Sequence, residues 1–459
     1  MPMTTRTIVR PGQTQHRQKL ESLYGDLLAI VVAFGASFYV HFVGELFIAD
    51  ILLLLLVPTL MALFPRKLFR PGLNIFLVLI GLWLFGQMVT DYYRGSRTSD
   101  WMRGEANIAF LAIDLAGLAL LLTRNDRRKV IFLAAYAIGS ILGNRFEPTI
   151  DISGDPWKWG YSTGVNIGVV LISCYFFRRR NYVITGLILA GITTVNLIEN
   201  YRSEVLFLLI TTVLVVPVIP ERIGRLRLLP RAGTVSRVLV MAALALAAGL
   251  AADGLVHWAT SAGLLGEEAQ AKNEGEFQAT PGLLLGGRPE ILVSARAVMD
   301  SPILGHGSYA RDFKYIEMLV DLETRMGFPP TENVWDQEED EEGGIPAHSH
   351  LMSAWVHAGV LGALIWLYLW PLTLKGVFKV AITRPPLTPI YIYMLIDLLW
   401  AILFSPIGAQ VRVTTGFLIV VLVDLLRPAA SVARKSSWLR KGKWQRHPLR
   451  GDPVFARKV

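Results

Sequence analysis

The apolar residues of this chain are gathered into blocks long enough to cross a bilayer, and that grouping removes most folds from consideration. Stretches such as "ILLLLLVPTLMALF" and "LNIFLVLIGLWLFGQMV" carry no charge at all. A membrane-spanning helix needs roughly 17–25 predominantly apolar residues. Hydrocarbon offers the backbone no hydrogen-bond partners, so blocks of this kind become helices. About twelve qualify by length, beginning near Leu27, Leu46, Leu73, Ala106, Val130, Tyr161, Tyr182, Val205, Val238, His350, Leu387 and Gln410. The block from Val130 to Gly143 is the shortest. Only 18% of the 459 residues are charged, against about 25% in soluble chains. The expected fold is therefore all-α, a polytopic membrane helix bundle of about twelve transmembrane helices with a large helical external loop.

Charge placement orients the bundle, because short cytoplasmic loops retain Lys and Arg. With the N-terminus inside, "PRKLFRPG", "RNDRRK", "RRRN", "PERIGRLRLLPRAGTVSR", "KGVFKVAITRPP" and the tail after Arg427 all fall on the inner side. One outer connection, "DYYRGSRTSDWMRGE", breaks the pattern with three arginines. The net charge of +9 is accounted for by these loops and by anionic lipid headgroups, so no nucleic-acid partner is expected. Cys174 is the only cysteine, which excludes a disulfide framework. The first twenty residues place no apolar core after their charges, so no cleavable signal peptide is expected. The resulting segments are 1–26 (cytoplasmic), 27–259 (nine spans), 260–349 (a large external loop), 350–426 (three spans) and 427–459 (a basic cytoplasmic tail).

A loop of that length is far beyond the usual connection of roughly 4–6 residues and is expected to be functional. It offers two helical patterns, "RPEILVSARAVMD" and "ARDFKYIEMLVDLETRM", separated by the turn signals "SPILGHGS". It ends at "IPAHSHLMSAWVHAGVLG", which holds three of the eight histidines. On a helix, His348 and His350 point about 200° apart, and no Cys or His-Glu pair completes a metal shell, so no metal is expected. Ser349 fits an N-cap, with the helix starting at His350. His348 then stands just outside the helix at the membrane–water boundary. It is either an ordinary interfacial residue or a general base. His350 and His357 read as packing residues, and Gly359 and Gly362 as small residues that admit a neighbouring helix.

Arg202 in "ENYRSEV" and Arg288 in "LLGGRPEIL" are further candidates on the outer side. Interfacial arginines commonly snorkel to headgroups, but the guanidinium fork also suits a diphosphate. Asp50, Asp114 and Asp397 interrupt apolar blocks. Intramembrane carboxylates suggest an ion path by default. With no matching basic partner in sequence, interhelical hydrogen bonding or protonation is the plainer reading.

His348-Ser349, nine residues, then Gly359-x-x-Gly362 matches the pattern H-[N/S/Q]-x9-G-x-x-G. That pattern resembles the bacterial O-antigen ligase and O-antigen polymerase superfamily. "GGRPEILVSARAVMDSPILGHGSYA" and "NYRSEVLFLL" are similar to that family's arginine-bearing segments. The resemblance covers roughly Tyr182 to Gly362 by motif and the remainder by topology. It implies an inner-membrane glycosyltransferase of GT-C type, inverting and without metal or cofactor, with a periplasmic loop and active site. Such an enzyme moves a glycan from a polyprenyl diphosphate carrier to an acceptor hydroxyl, on lipid A–core or on another carrier-linked glycan. By the same resemblance, His348 is catalytic, while Arg202 and Arg288 hold the diphosphate. A polymerase and, in a different class, a polysaccharide or lipid transporter stand as alternatives. The acidic run Asp336–Glu342 is either a solvated loop or an acceptor-selecting element.

Overall fold

The computed structural model describes residues 11–41, 45–63, 71–146, 154–216, parts of 243–263, 288–325 and 344–427. The expected block near Val238, the acidic run Asp336–Glu342 and the tail beyond 427 lie largely or wholly outside these residues. The described chain is mostly helical. It runs α1 (Pro11–Gly35), a small hairpin β1–β2 (Tyr39–His41, Glu45–Phe47), α2 (Ile48–Leu63), α3 (Pro71–Arg94), α4 (Thr98–Leu122) and α5 (Asp126–Phe146). A π-helical turn (Trp157–Tyr161) leads into α6 (Ser162–Arg178), α7 (Tyr182–Ile198) and α8 (Arg202–Val215). Then come α9 (Glu290–Asp300), α10 (Phe313–Arg325), α11 (His350–Thr383), α12 (Thr388–Phe404) and α13 (Arg412–Leu425).

Among the described residues, four helices are long and apolar enough to cross a membrane: Gly72–Arg94, Thr98–Leu122, Trp157–Arg178 and His350–Thr383. Shorter apolar helices accompany them at Ser22–Gly35, Ile48–Ala62, Tyr182–Ile198 and Thr388–Phe404. Val78, Phe85, Ile172, Val183 and Leu187 lie exposed on these helices. Exposed apolar surface of this kind is what a lipid-facing helix presents.

The shortest expected block forms a full helix, α5, because polar chemistry starts it early. Asn125 Oδ1 accepts from the Arg128 backbone N–H at 3.1 Å, which caps the helix ahead of Val130. The basic cluster there is neutralised locally. Arg127 and Arg128 meet Asp26 of α1 at 3.0 and 3.1 Å, and Lys129 meets Asp424 of α13 at 2.8 Å.

Helix α11 is central, packed by α3, α12 and, on its N-terminal part, α9. It is not continuous. Gly359 has φ 62° and ψ −156°, a conformation open in practice only to glycine. The sequence expectation of a helix–helix contact at Gly359 is thus corrected. A Cβ there would overlap the Ile303 carbonyl, so its neighbour is the turn between α9 and α10. Close helix approach comes instead from Gly86 of α3, where a Cβ would stand 2.8 Å from Leu361 Cβ.

Candidate functional site

The site is organised by the C-terminal end of α12. The last carbonyls of a helix lack intrahelical partners and carry the negative end of its dipole, so donors and cations collect there. Ser349 Oγ donates to the Ile402 carbonyl at 2.8 Å, and His350 Nδ1 donates to the Ser405 carbonyl at 2.7 Å. Arg288 Nη1 donates to the Phe404 carbonyl, and its guanidinium lies 5.6 Å from the centre of the Trp400 ring. Two segments far apart in sequence, 288–290 and 348–350, are thereby fixed on one helix end.

Ser349 is the N-cap of α11, in extended conformation and accepting from the Met352 N–H at 3.1 Å. That cap holds His348 one residue outside the helix, with half its side chain exposed at 51%. Its Nδ1 stands 3.9 Å from Glu290 Oε1, in the first turn of α9. Glu290 Oε2 is buried and has no hydrogen-bond partner among the described residues. Across from it lies Glu323 of α10. Burial raises the Glu323 carboxyl above the usual carboxylate range, and the charge of Glu290 adds to the effect.

Arg202 opens α8, its Nε donating to Asn200 Oδ1 at 3.4 Å. Its link to Arg288 runs through α12. Burial, and after it the charge of Glu204, pushes the Tyr201 phenol up. Glu204 turns inward and accepts from the Tyr393 hydroxyl at 2.8 Å, while Phe207 meets Trp400 edge-on at 5.7 Å. The glutamate beside Arg202 in sequence is thus occupied within the bundle.

The remaining histidines are structural. His350 is buried, edge-on to Trp366 at 4.9 Å. His357 is 5.6 Å from the Tyr309 ring. Its carbonyl, together with that of Val356, is released by the break at Gly359 and bonded by the turn. Gly307 N–H donates to His357 at 3.1 Å, His306 N–H donates to Val356 at 2.7 Å, and Val360 N–H donates back to Ile303 at 3.2 Å.

The same turn is clamped from outside by α3. Asp91 accepts from the Ser308 N–H and the Ser308 hydroxyl, both at 2.6 Å. Arg94 donates to the Gly305 carbonyl at 2.9 Å and to Ser301 Oγ at 2.8 Å. The three arginines that broke the expected charge pattern are thus in part accounted for. Arg94 holds the turn, and Arg103 lies 4.7 Å from the Tyr309 ring centre.

Asp50 is corrected too. It pairs with Arg412, the first residue of α13. Asn107 joins them, accepting from Arg412 Nη1 at 2.6 Å. Sequence reasoning also passed over Glu290 and Glu323. The available signal for Glu290 was its place directly after Arg288-Pro289, where an acidic residue suits a helix first turn. Among the described residues no three His, Cys, Asp or Glu side chains are grouped to hold a metal ion. No protein-family model matches the chain, and no curated protein sequence does.

Proposed function

We propose that the chain is an O-antigen ligase-like membrane glycosyltransferase. It moves a glycan from polyprenyl diphosphate to an acceptor hydroxyl such as one on lipid A–core. The observation that carries this reading is the convergence of the two segments bearing His348 and Arg288 on the end of α12, through Ser349, His350 and Arg288, with His348 facing Glu290 of the Arg288 segment. In the proposed arrangement about twelve spans lie in a bacterial inner membrane, both termini are cytoplasmic, and this edge faces the periplasm.

The chemistry asks little else of the protein. A carrier diphosphate is already a good leaving group, so the site must neutralise its departing oxygens and orient a nucleophile. Arg288, with Arg202 at the start of α8, supplies positive charge in a planar fork suited to anionic oxygens. His348 takes the acceptor hydroxyl's proton as its oxygen attacks the anomeric carbon from the face opposite the diphosphate. The configuration inverts, and the bonding pair leaves on the diphosphate oxygen.

A transporter reading has one observation in its favour, because broken helices are common at transporter binding sites. Here, however, the break at Gly359 is filled by protein backbone, and the groups it frees are bonded to residues 303–307. The test is transfer in membranes carrying His348→Ala, Arg288→Ala or Arg202→Ala, each at normal protein level. Loss in the His348 and Arg288 variants is expected, and full transfer in all three would overturn the proposal. The intermediates that accumulate then separate two enzymes. Full-length carrier-linked polymer marks a ligase, and single carrier-linked repeats mark a polymerase.

A further inference from the structure

We propose that Glu290 is the positioning residue for His348, and that the two act as one base unit. The inference rests on the transferase reading above. An imidazole that accepts a proton through one nitrogen must hold its other N–H on a fixed acceptor, or the ring turns and the wrong nitrogen carries the lone pair. The neighbouring Ser349 does not serve, because its hydroxyl is occupied by Met352 and Ile402. Glu290 supplies one. It faces Nδ1 at 3.9 Å, which leaves Nε2 as the nitrogen to take the acceptor's proton.

Three features make Glu290 suited to that place. Pro289 and the start of α9 fix its backbone two residues from Arg288, so the orienting carboxylate and the diphosphate-facing cation move together. Its second oxygen is buried and unbonded among the described residues, so one polar group there is still unsatisfied. Buried polar atoms without partners are uncommon and call for an explanation. Glu323 of α10 is within electrostatic reach, the charge of Glu290 adding to the burial that raises the Glu323 carboxyl. The present separation exceeds a hydrogen bond, and His348 is half exposed, so a modest side-chain rotation brings the pair together.

In the proposed step the acceptor O–H proton passes to Nε2, and Nδ1–H stays on the Glu290 carboxylate. The acceptor oxygen bonds to the anomeric carbon, and the carbon–oxygen bond to the diphosphate breaks with its electron pair on the leaving oxygen. The imidazolium then gives its proton to water, which restores the base.

The experiment uses the full chain in detergent, with an undecaprenyl diphosphate-linked oligosaccharide as donor probe and lipid A–core oligosaccharide as acceptor. Glu290→Gln is expected to lower kcat roughly 10–100-fold, short of the ~10²–10⁴ that a general base supplies, with donor KM unchanged. Glu290→Asp is expected to recover part of the loss. In a His348→Ala background, Glu290→Gln is expected to cost nothing more, because the two act as a unit; a purely structural carboxylate would give additive losses. If His348→Ala abolishes transfer while Glu290→Gln keeps the wild-type kcat, the inference on Glu290 is overturned and the transferase reading stands. If His348→Ala transfers normally, the inference on Glu290 falls, and the transferase reading falls with it only when Arg288→Ala and Arg202→Ala also transfer fully. A Glu290→Gln protein with a lowered melting temperature is judged on the double-variant comparison, and additivity there also overturns the inference.

Discussion

Replacing Gly359 with alanine adds one methyl group and tests how the centre of the molecule is built. The residue sits at φ 62°, ψ −156° inside α11. For a side-chain-bearing residue such a conformation costs about 1–3 kcal/mol. The new Cβ would also overlap the Ile303 carbonyl, so the turn must back away. Three backbone hydrogen bonds then open: His306 to Val356, Gly307 to His357 and Val360 to Ile303. Each contributes about 0.5–1.5 kcal/mol net, and more if a group is left buried without water. Taken with the backbone strain, the loss is about 2.5–7.5 kcal/mol.

The assay is provided by the chain itself. Cys174 is the only cysteine and is buried in α6, so a thiol-reactive fluorophore reports unfolding during a thermal ramp. The matched control is Gly81→Ala in α3, where a Cβ would meet nothing within 4 Å. That change removes glycine's backbone entropy from a helix interior and is expected to stabilise by roughly 0.5–1 kcal/mol. The same methyl group should thus act with opposite sign at two positions. A Gly359→Ala protein that melts with the wild type refutes the account of a turn keyed into a broken helix.

Arg412→Gln leaves Asp50 buried without its cation and is expected to cost about 3–5 kcal/mol. Adding Asp50→Asn should restore part of that melting temperature, and a further drop would contradict the pairing. Asp91→Ala removes two short bonds to Ser308 and should expose the chain near Arg311 to trypsin, while an unchanged digestion pattern would count against the clamp. Glu323 has its carboxyl raised by burial and by Glu290, so the folded state holds that proton more tightly and ionisation opposes folding. Glu323→Gln is therefore expected to raise the melting temperature at alkaline pH. The gain should shrink as pH falls through the folded value and vanish below the unfolded value of about 4.3. Equal gains at all pH values would refute the repulsion.

What could be read from the sequence follows the range of the forces involved. The apolar blocks specify helices because bilayer burial and backbone hydrogen bonding act within one segment. Ser349 could be placed as an N-cap because capping spans only three residues. Arg288 and His348 were singled out by local motif, yet their meeting on the α12 end depends on carbonyls more than fifty residues downstream of His348 and is invisible to any window. Gly359 was recognised as small and misassigned in role, since spacing shows that a Cβ is missing without showing what takes its place. Asp50 looked unpartnered because its arginine lies 362 residues away.

The arginines of "DYYRGSRTSDWMRGE" show the same limit from the side of charge. The positive-inside rule treats a basic residue as a free charge at a membrane surface. Arg94 is not free, since the Gly305 carbonyl and Ser301 hydroxyl hold it against the turn that enters α11. Arg311 of the loop adds a contact to Asp100 at 3.8 Å, and Arg103 covers Tyr309. The connection after α3 is therefore the seat of the loop that carries Arg288 and Glu290. Its basic residues mark where that loop is held, and a break in the charge pattern becomes a pointer to the scaffold of the site.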